Sequence, residues 1–127
     1  LSDENYEIVY SWPVMEVKGK TWVCPRNRHN YYKYAKFWKR FFKENHFDVV
    51  YYNTCDIVSV DMLKFAKKAE VPVRIIHSHN TENQIKMNMF HRITEKRNRK
   101  NIEKIATNLL ACSEDAGYWM FPGKSLL

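Results

Sequence analysis

The sequence predicts an α/β domain, namely a three-layer, Rossmann-like fold with a mainly parallel β-sheet. Short apolar runs alternate with amphipathic helical patterns along most of the 127 residues, which is typical of right-handed β–α–β units. Residues 48–53 are almost continuously apolar, which indicates a strand covered on both faces. The apolar content of 45% suffices for one core in a chain of this length.

The first elements are predicted from local patterns. Residues 8–10 are a candidate short strand, and residues 20–24 are a stronger one. A helix is expected over residues 30–45, with Asn30 as its N-cap. Aromatic side chains recur along it at helical spacing, so we favour a buried stripe beside solvated lysines over a nucleic-acid or membrane surface. The stripe consists of Tyr31, Tyr34, Ala35, Trp38, Phe41 and Phe42.

The later elements continue the alternation of strands and helices. A helix is expected over residues 57–70, and a strand follows over residues 73–77. A last strand is expected over residues 107–112, before a short helix through Phe121 that Ser113 caps. The predicted inward face of the helix over residues 57–70 consists of Val58, Met62, Phe65, Ala66 and Ala69.

Residues 84–105 have an uneven helical pattern, which indicates two helical pieces or one helix with a solvated middle. One apolar stripe consists of Ile85, Met89 and Ile93, and another consists of Ile102 and Ile105. Residues 95–101 between the stripes contain no apolar side chain, so we expect them to be exposed and mobile. Their cations suit either a solvated helix or a contact with anionic lipid or a phosphorylated substrate. These cations are Lys96, Arg97, Arg99 and Lys100.

Composition excludes several classes of protein. No apolar run approaches 18 residues and no basic-then-apolar leader is present, so we expect neither a membrane span nor a signal peptide. The three cysteines are odd in number and widely spaced, which suggests reduced thiols in a cytosolic protein. The net charge of +7 predicts attraction to an anion, whether nucleotide, lipid headgroup, polyphosphate or nucleic acid.

The glycines exclude the common phosphate-binding and hydrolase motifs. Gly19, Gly117 and Gly123 are the only glycines, and they form neither G-x-G-x-x-G nor G-x-x-x-x-G-K-[ST]. The G-x-S-x-G turn of triad hydrolases is also absent from the sequence. We therefore expect no dinucleotide or P-loop site on this chain, and no cofactor.

Polar residues follow the strand over residues 73–77, where open α/β sheets hold their ligands. His77 and His79 lie two apart, so three interpretations remain open. They contact a ligand, they bond to neighbouring loops, or they begin a zinc site. Zinc would need a third ligand such as His91 or Asp56 from elsewhere, and nothing in the sequence requires a metal.

Two blocks of the sequence resemble bacterial glycosyltransferases of capsule and exopolysaccharide biosynthesis. The first ends in Arg74-Ile75-Ile76-His77-Ser78-His79-Asn80-Thr81, and the second runs from Ala106 to Phe121 through Ala111-Cys112-Ser113-Glu114. Those enzymes carry an R-I-x-H-S-H-N strand end and then an A-T-x-L-x-A-C-S-E-x-A-G-x-W-x-F segment. The resemblance covers about residues 20–123, with its specificity in these two blocks.

The resemblance implies a retaining GT-B enzyme of the family-four type, in which two Rossmann-like domains face each other across a cleft. Residues 1–127 would be a partial N-terminal, acceptor-side domain, with an interdomain linker starting at about residues 122–127. The C-terminal donor domain would be absent, so we expect this fragment alone to be inactive. The parent protein would transfer a sugar from a nucleotide-sugar donor to a polysaccharide or lipid-linked acceptor.

The same resemblance implies the site residues. In that family a histidine after the mid-domain strand faces the donor sugar, and His79 is the better match, with His77 second. Further substrate contacts are expected from the adjoining loop and from the segment after the last strand. These contacts are Ser78, Asn80, Thr81, Ser113 and Glu114.

The expected location follows from the resemblance and the charge together. We expect a cytoplasmic protein at the inner face of the plasma membrane that binds no nucleic acid. There the basic residues of 96–100 would meet an anionic membrane face or a pyrophosphate-linked acceptor. The alternative is a non-catalytic, flavodoxin-like domain that binds nucleic acid or a protein partner, supported by the positive charge and the aromatic residues.

Overall fold

The computed structural model describes residues 14–17, 19–25, 30–83 and 85–126. It divides the chain into two compact units, Leu1–His46 and Phe47–Leu127, and each is described by itself. The candidate strand at residues 8–10 lies outside the described residues.

The first unit contains a β-hairpin and one helix. β1 (Val14–Val17) pairs antiparallel with β2 (Lys20–Val23), so the strand predicted at residues 20–24 belongs to a hairpin rather than to a parallel sheet. Gly19 lies in the turn with a φ of +75°, a conformation that glycine adopts at little cost. The antiparallel pairing could not be read from residues 20–24 alone, because it depends on the preceding strand.

The helix of the first unit, α1 (Tyr31–Glu44), begins as predicted. The Asn30 side chain accepts a hydrogen bond from the Lys33 backbone N–H, with a distance of 3.1 Å between the two atoms. The Trp22 ring of β2 meets the Phe41 ring edge-on at 5.3 Å. The buried residues of the helix are Tyr34, Trp38, Phe41 and Phe42. Tyr31 is 61% exposed and Ala35 is half-buried, so the predicted stripe is confirmed as core at its other four residues.

The second unit is a parallel α/β fold. Its sheet has the order β3 (Val49–Thr54), β4 (Val73–Ser78), β5 (Asn108–Ala111), and both strand pairs are parallel. α2 (Asp61–Lys68) and α3 (Met89–Ile105) connect the strands, and α4 (Glu114–Met120) follows β5. The predicted alternation of strands and helices is confirmed for this unit. None of the described helices is long and apolar enough to cross a bilayer.

Within the second unit, helices cover one face of the sheet. Both crossovers step in the same direction along the sheet, so their right-handed connections lie on the same side. Val50, Ile76 and Leu109 on that side are buried, whereas Val49 and Tyr51 on the other side are 50% and 46% exposed. Within this unit the helices form one layer against the sheet, so the predicted cover on both faces of β3 is not observed among the described residues.

The second helix is shorter than predicted because residues 55–60 form a loop. The Asp56 carboxylate accepts from the Val58 backbone N–H at 2.9 Å and fixes that loop locally. After the last residue of α2, Lys68, the chain turns at Glu70, which has a φ of +62°. The Val71 N–H donates to the Ala66 carbonyl, and the Glu70 N–H donates to the Lys67 carbonyl. The buried residues of α2 are Leu63, Phe65 and Ala66. Of the predicted inward face, Val58 and Met62 are only half-buried and Ala69 is exposed.

α3 is one continuous helix, and it buries only one of the two predicted apolar stripes. Ile102 and Ile105 are buried, whereas Met89 and Ile93 are 78% and 62% exposed. At 100° per residue the two stripes lie on roughly opposite sides, so a straight helix cannot bury both. Asn98 shares the inner face and is 2% exposed, donating from Nδ2 to the carbonyls of Ile57 at 2.8 Å and Val58 at 3.0 Å. Ile85, the remaining residue of the first stripe, precedes the helix and is 40% exposed.

Candidate functional site

The strand register brings two histidines and their partners together at the carboxyl end of the sheet. Asn53 of β3 lies opposite His77 of β4, and Thr54 lies opposite Ser78. Alternate residues of a strand share a face, so Tyr51, Asn53, His77 and His79 project from the same side. This is the side that the helices of the second unit leave exposed.

His79 is held from several directions and its ring is exposed. Its Nε2 lies 2.7 Å from Asn53 Oδ1, and since an amide oxygen only accepts, Nε2 carries the proton. In this tautomer Nδ1 is an acceptor for a hydroxyl group. The His79 backbone N–H donates to the Thr54 carbonyl at 3.3 Å, and the Cys112 thiol donates to the His79 carbonyl at 3.6 Å. The ring is thus positioned by the strands on both sides of β4.

His77 lies beside His79 and is half-buried. The Tyr51 hydroxyl is 2.5 Å from His77 Nδ1, and the two imidazole rings are 4.2 Å apart. Burial, and then the charge of neighbouring His79, lower the pKa of His77 from its ordinary value of 6.5. At neutral pH the His77 ring is therefore neutral.

We expect an NMR titration of the His77 ring protons to show a midpoint below pH 6.5, because both causes disfavour the imidazolium form. The unfolded chain then takes up the proton more readily, so the folded state loses stability as pH falls from 6.5 through the pKa of folded His77. In a His79→Asn variant the midpoint should rise, because the neighbouring charge is gone. A His77 midpoint at or above 6.5 in the unmodified chain would contradict this assignment.

The remaining predicted residues around β4 differ in what their side chains do. Ser78 is fully buried, and its hydroxyl donates to the Ala116 carbonyl of α4 at 3.1 Å. It joins the sheet to a helix instead of facing the exposed edge. The half-buried Asn80 donates from Nδ2 to the Cys55 carbonyl at 3.5 Å, and Thr81 is exposed.

Ser113 and Glu114 follow β5 at the same end of the sheet. Ser113 caps α4, because its hydroxyl accepts from the Ala116 backbone N–H at 3.2 Å. The Glu114 side chain is exposed in the first turn of the helix. Cys112 directly precedes them and connects them to the His79 loop through the thiol contact described above. The structure thus brings the two blocks of the sequence together.

The four basic residues over 96–100 of α3 differ in exposure and in their contacts. Arg99 is half-buried, bonds to Glu95 at 2.5 Å, and also donates to the Trp119 carbonyl. These bonds hold the Arg99 guanidinium against its own helix and α4, and Arg99 as an anion contact stays a prediction. Lys96, Arg97 and Lys100 are exposed. The segment is regular helix, with Asn98 buried in its middle, so the expectation of a fully exposed stretch is wrong.

A metal site is not assembled among the described residues, where no group of three His, Cys, Asp or Glu side chains could hold an ion. Asp56, one proposed third ligand, accepts from a backbone N–H of its own loop. The sequence did not predict that Tyr51, Asn53 and Cys112 contact the two histidines. Only the strand register could have found them, because each is far from His77 and His79 in sequence.

The chain is similar to a curated protein named "Putative glycosyltransferase EpsF" from Bacillus subtilis (strain 168). The two are 31% identical over 123 residues, which cover 95% of this chain and 32% of that protein. The chain thus spans about a third of the length of this relative. No protein-family model matches the chain, and no solved structure matches it. The similarity supports a relationship to glycosyltransferases.

Proposed function

We propose that this chain forms one wall of the sugar-transfer site of a glycosyltransferase, on the acceptor side of a retaining GT-B enzyme. The similarity to a glycosyltransferase-like protein over most of the chain supports this class of reaction. The observation that carries the proposal is the exposed His79 ring, which Asn53 holds at the carboxyl end of the central strand at 2.7 Å. Ligands of open α/β folds bind at that end of the sheet.

His79 would act by hydrogen bonding and electrostatics at the reacting sugar. In such a transfer the bond from the anomeric carbon to the nucleotide breaks, and the diphosphate leaves with the electron pair. The oxygen of the acceptor hydroxyl forms the new bond to the anomeric carbon, and its proton passes to the departing diphosphate. Because Nε2 is committed to Asn53, the imidazole can accept a hydrogen bond from a sugar hydroxyl through Nδ1 and hold that hydroxyl in position. Asn80, Thr81, Ser113 and Glu114 line the same end of the sheet and are candidates to bond sugar hydroxyls.

The proposed substrates are a nucleotide-sugar donor and a polysaccharide or lipid-linked acceptor, in the cytoplasm at the inner membrane face. The sequence has no glycine-rich phosphate loop, so most donor contacts would come from elsewhere. The alternative of nucleic-acid binding loses its main support, because the aromatic stripe of α1 is mostly buried.

We expect the 127-residue chain to bind a sugar substrate at the His79 edge without catalysing transfer. Nucleotide sugars and oligosaccharide acceptors are titrated separately while the ring signals of His77, His79 and the exposed His46 are followed by NMR. Saturable shifts confined to His77 and His79 support the proposal, with His46 as the internal control. Equal shifts at all three rings, or none at any of them, would refute it. Steady release of nucleoside diphosphate by this chain alone would refute the acceptor-side assignment.

A further inference from the structure

His77 and His79 each use one ring nitrogen within the sheet and leave the other free. His77 Nδ1 meets the Tyr51 hydroxyl at 2.5 Å, and His79 Nε2 meets the Asn53 amide oxygen at 2.7 Å. Within the part of the chain that the structure describes, neither His77 Nε2 nor His79 Nδ1 has a hydrogen-bond partner. The two ring centres are 4.2 Å apart, so one small ligand can reach both free nitrogens.

The two partners give the free nitrogens opposite hydrogen-bonding character. The Asn53 oxygen only accepts, so His79 carries its proton on Nε2 and its Nδ1 is an acceptor. At His77 the phenol hydroxyl is the stronger donor of the pair and the imidazole nitrogen is the stronger acceptor, so Tyr51 donates to Nδ1. The proton of the neutral His77 ring is then on Nε2, which is a donor.

Tyr51 holds His77 from outside the core. Its side chain is 46% exposed on the face of the sheet that the helices leave open, so the unit does not need its hydroxyl for packing. The two rings meet edge-on, with their centres 5.8 Å apart. Removing the hydroxyl alone should therefore change the tautomer of His77 and leave the fold intact.

The chemistry of the free nitrogens restricts the ligand. It must accept a hydrogen bond from His77 and donate one to His79, side by side. A phosphate dianion or a carboxylate supplies acceptors only, so His79 Nδ1 would stay without a donor. A trans amide directs its N–H and C=O to opposite sides, so it does not reach both rings at once. Two hydroxyl groups on neighbouring carbons of a sugar ring supply the required donor and acceptor.

We propose that Tyr51 and Asn53 are positioning residues that present His77 as a donor and His79 as the adjacent acceptor, and that this pair binds two neighbouring hydroxyl groups of one sugar ring. The inference rests on the proposed function and adds the group that is recognised. One hydroxyl accepts from His77 Nε2–H, and the other donates to His79 Nδ1. A sugar that lacks either hydroxyl loses one of the two bonds.

The first measurement needs no ligand. Nitrogen-15 NMR of the full 127-residue chain, above the pH range in which imidazoles titrate, distinguishes protonated from bare ring nitrogens. We expect the proton on Nε2 of both His77 and His79. Tyr51→Phe keeps the ring and removes the donor, so His77 should become a mixture of tautomers while His79 stays unchanged. The matched control is Tyr118→Phe, at a 72% exposed tyrosine of α4, and it should change neither ring.

The second measurement titrates sugars and follows the ring signals of His77 and His79. Methyl glycosides of glucose, galactose and mannose are compared first, and the tightest is then tested beside its 3-deoxy and 6-deoxy derivatives and inorganic phosphate. The hydroxyl at carbon 3 belongs to either possible neighbouring pair, so its removal should weaken binding roughly 5-fold, the effect of one neutral hydrogen bond. The hydroxyl at carbon 6 has no such neighbour, so the 6-deoxy sugar should bind like its parent.

The inference holds if the tautomers are as assigned, the 3-deoxy sugar binds more weakly than its parent, the 6-deoxy sugar does not, and phosphate shifts neither ring. It is overturned if His77 carries its proton on Nδ1, or if Tyr51→Phe leaves that tautomer unchanged. It is also overturned if both deoxy sugars lose equally, or if phosphate shifts the rings as strongly as sugar. Sugar binding in these cases leaves the proposed function standing. If the tautomers are as assigned but no sugar shifts either ring, the proposed function fails and this inference fails with it.

Discussion

Replacing His79 with alanine is expected to lower kcat/KM for sugar transfer by roughly 100-fold, because the hydrogen bond that positions the sugar hydroxyl is lost. The expectation rests on the geometry around the ring. Asn53 binds Nε2 at 2.7 Å, the main chain of residue 79 is fixed from β3 and β5, and the ring is exposed. The measurement is a transfer assay with the transferase polypeptide that carries this chain, with nucleotide sugar as donor.

The control for this variant is His46→Ala, which removes an exposed histidine of the first unit and should leave kcat/KM unchanged. His79 is itself exposed, so its loss should not unfold the chain, and thermal unfolding checks this. If His77 contacts the substrate instead, His79→Ala should have a small effect on kcat/KM and His77→Ala should have a large one. That pattern would contradict the assignment of His79.

Replacing Trp38 with alanine is expected to lower the free energy of unfolding of the first unit by about 3–5 kcal/mol, as large-to-small changes in a core do. Trp38 is 1% exposed, and its ring lies 5.6 Å from that of Phe41 and 5.9 Å from that of Phe42. Alanine would remove the centre of this aromatic cluster and leave a cavity. The measurement is urea unfolding followed by far-UV circular dichroism.

The matched control is Tyr32→Ala on the same helix, because Tyr32 is 74% exposed. This change should alter the free energy of unfolding by no more than about 0.5 kcal/mol. If the two variants shift the urea midpoint equally, the aromatic stripe is not the core of the unit. The buried-stripe interpretation of α1 would then fail, and a binding role for its aromatic residues would return.

The spacing of apolar residues predicted a helix or strand well where that element has one apolar face and buries it. The cap Asn30, the stripe around Trp38 and the strand that ends at Ser78 all appear as periodicity predicts. α2 and α3 were less predictable for different physical reasons. The loop over residues 55–60 satisfies polar groups locally, and it looked helical because Val58 continues the i, i+4, i+7 spacing of Met62 and Phe65.

The candidate site was predictable only in part. His77 and His79 follow a buried run, so their place at a strand end could be read from the sequence. Their hydrogen-bond partners could not, because Tyr51 and Asn53 lie 26 residues away and meet them only through the register of β3 and β4. Ser78 looked like a site residue by adjacency, but alternation along the strand turns it toward α4.

The sequence by itself determined the order of strands and helices, the positive charge and the resemblance to glycosyltransferases, since each depends on residues close together in the chain. Only the tertiary structure decided which side of each element meets the core. α3 shows the reason, because its two apolar stripes lie on opposite sides and one straight helix can bury only one. Asn98 shares the buried side and satisfies two loop carbonyls there, while Met89, Phe90 and Ile93 remain at the surface.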